Sequence, residues 1–159
     1  MPTGAYISAL ETPFAATTGA KTALMVIAPA NSGLVVVEFG ISFDGVTATA
    51  VPALVELVSS TQATAGTPTG TVTVTQVRGR VTGGEAPTAG GRYSAEPTVL
   101  VRHRVWYVPQ FMGVLVVQFP LGREPETDDS GGAIKGYGIR INVTANVNAL
   151  CYMETEKNG

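Results

Sequence analysis

The sequence predicts an all-β fold, an antiparallel β-sandwich. Two observations support this prediction: β-branched and aromatic runs alternate with period two between Gly- and Pro-rich turns, and no segment keeps a helical period over ten or more residues. Eight such strands make the eight-stranded jelly roll the natural arrangement. At 159 residues, one domain is expected.

The N-terminal segment, residues 1–20, shows no sustained period and contains Pro2, Gly4, Pro13 and Gly19. We expect an extended N-terminal arm here, either disordered or laid against a neighbouring subunit. The single β-sandwich domain is then predicted over residues 21–156, and a polar tail over residues 157–159.

The first predicted strand, Thr22–Ala28, ends at a turn rich in Pro and Gly. The next strand, Leu34–Asp44, alternates throughout and ends at the tight-turn dipeptide Asp44-Gly45. One face of this strand is predicted to carry Val35, Val37, Phe39, Ile41 and Phe43, and the opposite face Leu34, Val36, Glu38, Gly40 and Ser42.

Two further strands, Pro52–Ser59 and Thr71–Val77, are predicted on either side of an Ala/Thr/Gly/Pro-rich loop at residues 61–69. Residues 79–97 hold Gly83-Gly84 and Gly90-Gly91 and form the longest predicted loop. A loop of this length inside a compact domain is uncommon and is often functional or mobile.

The strand Pro97–Gln110 is predicted to place Val101, His103 and Val105 on its inward face and Arg102, Arg104 and Trp106 outward. After it come the remaining elements, which are the strand Val114–Phe119, an acidic loop at residues 122–132, and a hairpin of Gly138–Thr144 and Val147–Glu154 joined at Ala145-Asn146.

Charge and hydropathy limit the classes of function that this chain can have. Ten basic and 12 acidic residues give a net charge of −2, so there is no general attraction to nucleic acid. The low charge and the positive mean hydropathy of +0.23 favour a subunit interface over the alternative that Ala and Val merely inflate the hydropathy scale. Neither a secretory signal nor a stretch long enough to cross a membrane is visible, so we expect synthesis in a cytoplasm.

Groups that could carry chemistry are few. The single cysteine, Cys151, alternates with apolar residues and is predicted to be a core side chain instead of a reactive thiol. The single histidine, His103, is predicted to be a hydrogen-bonded core residue, and one histidine and one cysteine are too few for a structural zinc site. We therefore expect no enzyme, no cofactor and no catalytic residue.

The acidic stretch Glu124–Asp129 offers carboxylates to a hard cation such as calcium, but it lacks the spacing of a calcium loop. A solvated acidic loop is the favoured interpretation, and no metal site is predicted.

Basic residues cluster at Arg78-Gly79-Arg80 and at Arg102 and Arg104 beside Trp106. These clusters are compatible with nucleic acid, with an ordinary solvated strand face or with a protein interface, where Trp and Arg are enriched. The candidate interface residues are Tyr6, Phe14, Arg102, Arg104 and Trp106.

The order of several segments is similar to a known family. These segments are Phe14-Ala15-Ala16-Thr17, "KTALMVIAPANSGLVVVEFGISFDG", "ATAGTPTGTVT", "VLVRHRVWYVPQ" and "GYGIRINVTANVNALCYMETEKNG". Their layout and composition over most of residues 14–156 resemble the small β-sandwich virion proteins of tailed bacteriophages, which include capsid decoration (cement) and minor head proteins.

The resemblance implies a jelly-roll-like, non-enzymatic protein that binds an assembled capsid and stabilises it, often as a trimer at local three-fold positions. The expected partners are the major capsid protein and copies of the chain itself, a homotrimer being favoured, with no nucleic acid and no membrane. The expected location is the capsid surface of the virion. The alternatives are another virion component, such as a tail or head-fibre protein, and a carbohydrate-binding module or jelly-roll enzyme.

Overall fold

The computed structural model describes residues 4–30, 32–45, 50–62, 64–79, 86–128 and 133–158. Met1, Pro2 and Thr3 of the predicted arm, and Arg80, Gly83-Gly84, Asp129 and Gly159, lie outside these ranges. The described residues contain no helix and form twelve strands: β1 (Gly4–Leu10), β2 (Phe14–Ala16), β3 (Gly19–Ile27), β4 (Gly33–Phe43), β5 (Ala53–Ser60), β6 (Thr67–Gly70), β7 (Val72–Gly79), β8 (Thr88–Ala95), β9 (Leu100–Val108), β10 (Val114–Gln118), β11 (Gly136–Val143) and β12 (Val147–Asn158).

The strands form two six-stranded antiparallel sheets packed face to face, so the predicted β-sandwich is confirmed. Sheet I has the order β10-β4-β12-β1-β7, with β2 also paired to β12. Sheet II has the order β6-β8-β3-β11-β5-β9.

Eight of the strands pair in the nested order of a jelly roll. The first of them, β1, pairs with the last, β12, and the pairs β3–β11, β4–β10 and β5–β9 follow inward along the chain. The strands β6, β7 and β8 lie between β5 and β9 in sequence and extend both sheets on the side of β1 and β3. The described chain is therefore a jelly roll with a three-strand insertion, and these eleven strands together with the short β2 raise the predicted number from eight to twelve.

The core lies between the sheets and is made of large aliphatic and aromatic side chains. Phe39 of β4, Leu57 of β5, Ile139 of β11 and Met153 of β12 are each less than 2% exposed. Burying one such side chain contributes about 1.5–3 kcal/mol of transfer free energy, so the strand faces are fixed by these positions.

The residues that the sequence places on one face of β4 are not buried along the whole strand. Phe39, Ile41 and Phe43 of that face are buried, but at the beginning of the strand Leu34 and Val36 of the opposite face are the buried residues. The pairing of β4 with β12 shifts by one residue between these halves, where Glu154 pairs with Glu38 and Thr155 with Val36. A β-bulge inserts one residue, and a shift of one residue moves every following side chain to the other face.

The predicted N-terminal arm is wrong for the described part of residues 1–20. Strand β1 lies inside sheet I, between β12 and β7, and β2 pairs with β12 as well. The sequence lacks an alternating pattern here because both faces carry small or apolar residues. Tyr6, Ser8 and Leu10 are buried on one face, while Ala5, Ile7 and Ala9 are buried or half-buried on the other. A strand that is covered on both faces carries no polar–apolar period.

Two other predicted irregular segments are strands. Residues 88–95 of the long loop form β8, where Gly91 allows the backbone to approach β1 and β7, since a Cβ atom there would collide with Leu10 and Val72. The predicted loop at residues 61–69 contains the start of β6. At the other end, Lys157 and Asn158 of the predicted tail pair with Leu34 and Gly33, so β12 continues through them.

Candidate functional site

The exposed apolar side chains of this chain are concentrated in one segment. Of the twelve large hydrophobic residues that are exposed in the described structure, nine lie between residues 99 and 121. They are Val99, Val101, Val105, Tyr107, Phe111, Met112, Val114, Val116 and Leu121. We call residues 99–121 the β9–β10 edge. Exposed apolar side chains concentrated in one segment make it the candidate site of interaction with another molecule.

Both strands of the β9–β10 edge end their sheets. In the described residues β9 is paired only with β5, and β10 only with β4, so each strand offers one row of unpaired backbone groups. The two strands lie on the same side of the sandwich, because the Trp106 ring of β9 contacts the Phe39 ring of β4 with centroids 5.4 Å apart. Exposed strand edges are templates for pairing with another chain.

Arg102 is outward as predicted, but from Arg104 to Val108 the side chains of β9 face the opposite way from the prediction. Trp106 and Val108 pack into the core, while Val105 and Tyr107 are exposed, Tyr107 to 76%. In the pairing with β5, Leu57 lies opposite Arg104 and Val58 opposite Arg102, so His103 is the extra residue of a bulge. The strand is also an edge strand, where the apolar face need not be the buried one. Alternation alone could not distinguish the two faces.

A buried carboxylate organises the outer face of sheet II beside this edge. Glu56 is only 3% exposed, yet it is a charged residue in the middle of β5. Arg102 Nη1 donates to Glu56 Oε1 at 3.0 Å, and Arg140 Nε donates to Oε2 at 2.5 Å. The two arginines compensate the buried negative charge and tie β9 and β11 to β5.

Glu56 was not among the predicted site residues. Its signal was present, since Glu56 is the one charged residue of an otherwise apolar strand, and Arg102 and Arg140 lie in strands that the sequence also predicts. The register that brings the three together, with Arg140 opposite Glu56 and Arg102 opposite Val58, follows only from the order of strands in the sheet.

The second arginine of β9 faces the sandwich interior at its rim. The Arg104 guanidinium lies over the Phe119 ring, 4.9 Å from its centroid. Such a cation–π contact contributes about 0.5–1 kcal/mol at an exposed site. The contact also connects β9 to the end of β10 across the open side of the sandwich.

The predicted acidic loop is fixed on the edge of sheet I, beyond the end of β10. Val36 N donates to Pro125 O at 2.8 Å, and Thr127 N donates to Leu34 O at 2.8 Å. Leu34 N donates to the Thr127 hydroxyl at 2.8 Å. These bonds continue the β10–β4 ladder, so the acidic residues of this segment belong to the same side of the molecule as β9 and β10.

A shallow apolar groove of about 250 Å³ lies on the outer face of sheet I, next to β10. Val114, Val116 and Leu150 form its apolar walls. Gly40 also lines the groove, and no larger residue fits at this position, since a Cβ atom there would collide with the Tyr152 ring. The groove is continuous with the β9–β10 edge through the two valines of β10.

The single cysteine and the single histidine both contact other residues of the fold. Cys151 is buried in the core as predicted, and burial raises the pKa of its thiol above the usual range. His103 is exposed instead of buried, which corrects its predicted core position, and its Nε2 lies 2.7 Å from the Ser59 hydroxyl. Ser59 is itself 3% exposed, so this pair lacks the accessible nucleophile that acyl transfer needs.

The described residues contain no group of three or more His, Cys, Asp or Glu side chains that could hold a metal ion. In the acidic segment, Asp128 accepts a hydrogen bond of 2.7 Å from Ile134 N. The described residues also contain no helix that could span a membrane.

The five predicted interface residues are not brought together into one surface. Tyr6 and Phe14 are buried within their own chain, and Trp106 is half-buried against the core. Arg102 and Arg104 are exposed and belong to the β9–β10 edge. The interface role of these five residues stays a prediction, and the exposed part of it is the part contributed by β9.

Comparison with protein-family models, with curated proteins and with solved structures found no match to this chain.

Proposed function

We propose that this chain is a non-enzymatic structural protein of a bacteriophage virion, which binds the assembled capsid and stabilises it as a decoration or cement protein. The observation that carries the proposal is the concentration of exposed apolar side chains on the β9–β10 edge. Covering such a surface is favourable at about 25 cal/mol per Å² of apolar area. The similarity of layout to virion β-sandwich proteins supports the capsid as the partner that covers it.

The tip of the β9–β10 edge is the part that we assign to the capsid. Phe111 and Met112 lie in the loop between the two strands and are 71% and 72% exposed. The loop is held from below, since Phe43 N donates to Gly113 O at 2.9 Å. A rigid loop presents its apolar side chains at a low cost in conformational entropy, which favours tight contact.

The mechanism of stabilisation is linkage. A protein that binds the assembled shell but not its dissociated subunits shifts the equilibrium towards assembly, by an amount that grows with its free concentration. No bond is made or broken in this process. The charged residues of the surface then serve to orient the bound protein and to choose its partner.

A sedimentation experiment with capsids assembled without this protein tests the proposal. We expect the purified protein to pellet with the capsids and to raise the temperature at which they open. Phe111→Ser with Met112→Asn should reduce the bound fraction about tenfold or more, since both apolar contacts are lost. Asn suits position 112 because the backbone there has a φ of 52°, a left-handed conformation.

The matched control is Val77→Ser, which removes an equally apolar side chain, 50% exposed, from β7 at the opposite edge. It should bind like the unchanged protein. Absence of the protein from the capsid pellet would contradict the proposal, and enrichment on tails or fibres would assign the chain to another part of the virion.

A second candidate function is carbohydrate binding. It is favoured by two exposed aromatic rings in the same segment, Tyr107 and Phe111. Sugar rings stack on exposed aromatic side chains, and β-sandwich folds of the lectin type bind them. A glycan array tests the second candidate: saturable binding that Tyr107→Ser abolishes supports it, and an array without signal removes it.

A further inference from the structure

We infer that a cleft between β2 and β8 binds the phosphate group of a small molecule. The cleft has a volume of about 240 Å³ and lies on the side of the molecule opposite to the β9–β10 edge. Its lining comes from β2, β3, β6 and β8 and includes Phe14, Thr17, Lys21, Thr69, Arg92 and Ser94. None of these residues belongs to the β9–β10 edge, so the ligand is independent of the capsid proposal.

The cleft opens where the pairing of β3 with β8 ends. The last paired residues are Leu24 and Gly91. Two residues before Leu24, the Thr22 N–H donates to the Glu96 carboxylate at 2.9 Å instead of to the backbone of β8. Arg92 has a φ of 54°, a left-handed conformation that residues other than glycine seldom adopt. Backbone strain of this kind persists only where the surrounding structure holds it, and it is common at ligand sites.

The Arg92 side chain is held in place against the insertion. Its stem lies over Gly70 of β6, where a Cβ atom would collide with the Cβ, Cγ and Cδ atoms of Arg92. Its Nη1 donates to the Thr12 hydroxyl at 3.1 Å, and its backbone carbonyl accepts a hydrogen bond of 2.6 Å from the Thr69 hydroxyl. A guanidinium carries several N–H groups, so most of its donors remain for a ligand. Because the side chain is already ordered, binding costs little conformational entropy.

Lys21 of β3 supplies the second positive charge of the cleft. It is half-buried, as Arg92 is. The hydroxyl of Thr17, an exposed residue just before β3, is a neutral donor in the same lining. The hydroxyls of Thr69 and Ser94 already donate to backbone carbonyls, so they shape the wall but have no proton left for an anion.

Neither cation is neutralised by a carboxylate within the part of the chain that the structure describes. No ion pair there includes Lys21 or Arg92. The carboxylates next to the cleft bond neutral groups instead, since Glu96 accepts from the Thr22 hydroxyl and Glu11 from a threonine hydroxyl of β7. Two positive charges that share a small cleft repel each other. A phosphate group, with a charge of about −1.5 to −2, balances them.

Size and donor geometry favour phosphate over other anions. The volume of about 240 Å³ lies below the range of about 300–1,000 Å³ that is typical of pockets for drug-sized molecules, so the ligand is a small group. A guanidinium binds two phosphate oxygens as a fork, and an ammonium binds as a point charge. Since Arg92 and Lys21 come from different strands, they can contact different oxygens of one tetrahedral group. A planar carboxylate offers only two oxygens.

Thermal unfolding of the full chain, with increasing inorganic phosphate at constant ionic strength, tests the inference. We expect the unfolding midpoint to rise and then to saturate, because a ligand that binds only the folded state stabilises it by mass action. Sodium chloride replaces phosphate in the reference series. A single-stranded oligonucleotide should have no such effect, because the lining offers two cations and no continuous basic track.

Two variants remove the charges of the cleft one at a time. Arg92→Asn suits the left-handed backbone, and Lys21→Gln keeps a side chain of similar length. Each should raise the dissociation constant for phosphate about tenfold or more, because one of two charged contacts is lost. The matched control is Arg123→Gln, which removes an exposed arginine outside the cleft and should leave the dissociation constant unchanged.

A midpoint that rises without saturation, equally in all four proteins, would be the general effect of an excluded salt and would overturn the inference. Saturable binding that both cleft variants retain would overturn it as well. Binding of the oligonucleotide without a response to inorganic phosphate would contradict the assignment to a small molecule. Circular dichroism checks that each variant is folded, and Lys21→Gln gives an independent result if Arg92→Asn is not.

Discussion

At the scale of single residues, the Glu56 carboxylate determines how the outer face of sheet II is held. Its side chain is 4% exposed, and it receives one hydrogen bond from Arg102 and one from Arg140. Arg102 is itself 55% exposed, so part of its interaction is screened by solvent, while Arg140 is 24% exposed. The stronger member of the cluster is therefore the contact between Glu56 and Arg140.

Glu56→Gln should lower the free energy of unfolding by about 1–3 kcal/mol, because two arginines then lose the negative charge between them. Urea unfolding followed by circular dichroism measures this change. Arg123→Gln is the control, since Arg123 is exposed, and it should stay within about 0.5 kcal/mol of the unchanged protein. Equal stability of the two variants would mean that Glu56 does not hold the face together.

Tyr152 is a second residue whose environment has a measurable consequence. Its hydroxyl donates a hydrogen bond of 2.5 Å to Glu38 Oε1. Partial burial, and after it the hydrogen bond to Glu38, raise the pKa of Tyr152 from 10.0 to about 12. A folded-state pKa above the unfolded value means that the neutral phenol is favoured by folding.

The stability from Tyr152 is therefore fully present below pH 10 and is lost as the pH rises from 10.0 towards about 12. Burial also raises the pKa of Tyr93 and of Tyr137, so the fall has more than one source. Tyr152→Phe should make the decrease in the free energy of unfolding over this range less steep than in the unchanged protein. Identical slopes for the two proteins would contradict the assignment.

At the scale of elements, β1 is the strand whose position changes the predicted architecture most. It lies between β12 and β7, with Ala5 opposite Glu156 and Ala9 opposite Tyr152 on one side. Every backbone N–H in its middle therefore faces a paired neighbour, whichever side it points to. An arm laid on the surface would not have this property.

Ile7→Pro tests the place of β1 in the sheet. Proline removes one ladder hydrogen bond and should lower the free energy of unfolding by about 3 kcal/mol or more. Ile7→Thr is the control, because it keeps both the N–H and the β-branched shape, and it should be far less destabilising. Thermal unfolding measures both variants, and an unchanged midpoint for Ile7→Pro would return residues 4–10 to the status of an arm.

Several elements could be predicted from the sequence, and the reasons for the others are physical. Strands with one apolar and one polar face, such as β11, show period two and were predicted close to their observed bounds. β1 was missed because small or apolar residues occupy both of its faces, one buried and the other partly buried, and β8 because Gly90 and Gly91 belong to close backbone packing instead of a loop. Bulges in β4 and β9 reverse the facing of side chains, and no local pattern indicates where a bulge lies.

The candidate site could be predicted only in part for the same reason. The sequence located Arg102 and Arg104, but the bulge at His103 determines that one of them bonds Glu56 and the other covers Phe119. The exposed apolar surface could not be predicted, because Val and Tyr are residue types that are common in a β-sheet core. Val105 and Tyr107 are exposed because β9 lies at the edge of its sheet.

At the scale of the whole molecule, the jelly roll leaves its two sides unlike each other. On one side, the insertion β6–β8 extends both sheets. On the other side, the sheets end at β9 and β10 with exposed apolar side chains. A soluble domain usually protects its sheet edges, so an edge of this composition favours a function that depends on binding another molecule.

We propose that this contact is made with an assembled capsid, and cryo-electron microscopy of capsids incubated with an excess of the protein is the decisive test. We expect jelly-roll density at regular positions on the outer surface, with the Phe111–Met112 loops directed at the shell. Bare capsids at saturating protein, or bound protein that keeps these loops in solvent, would contradict it.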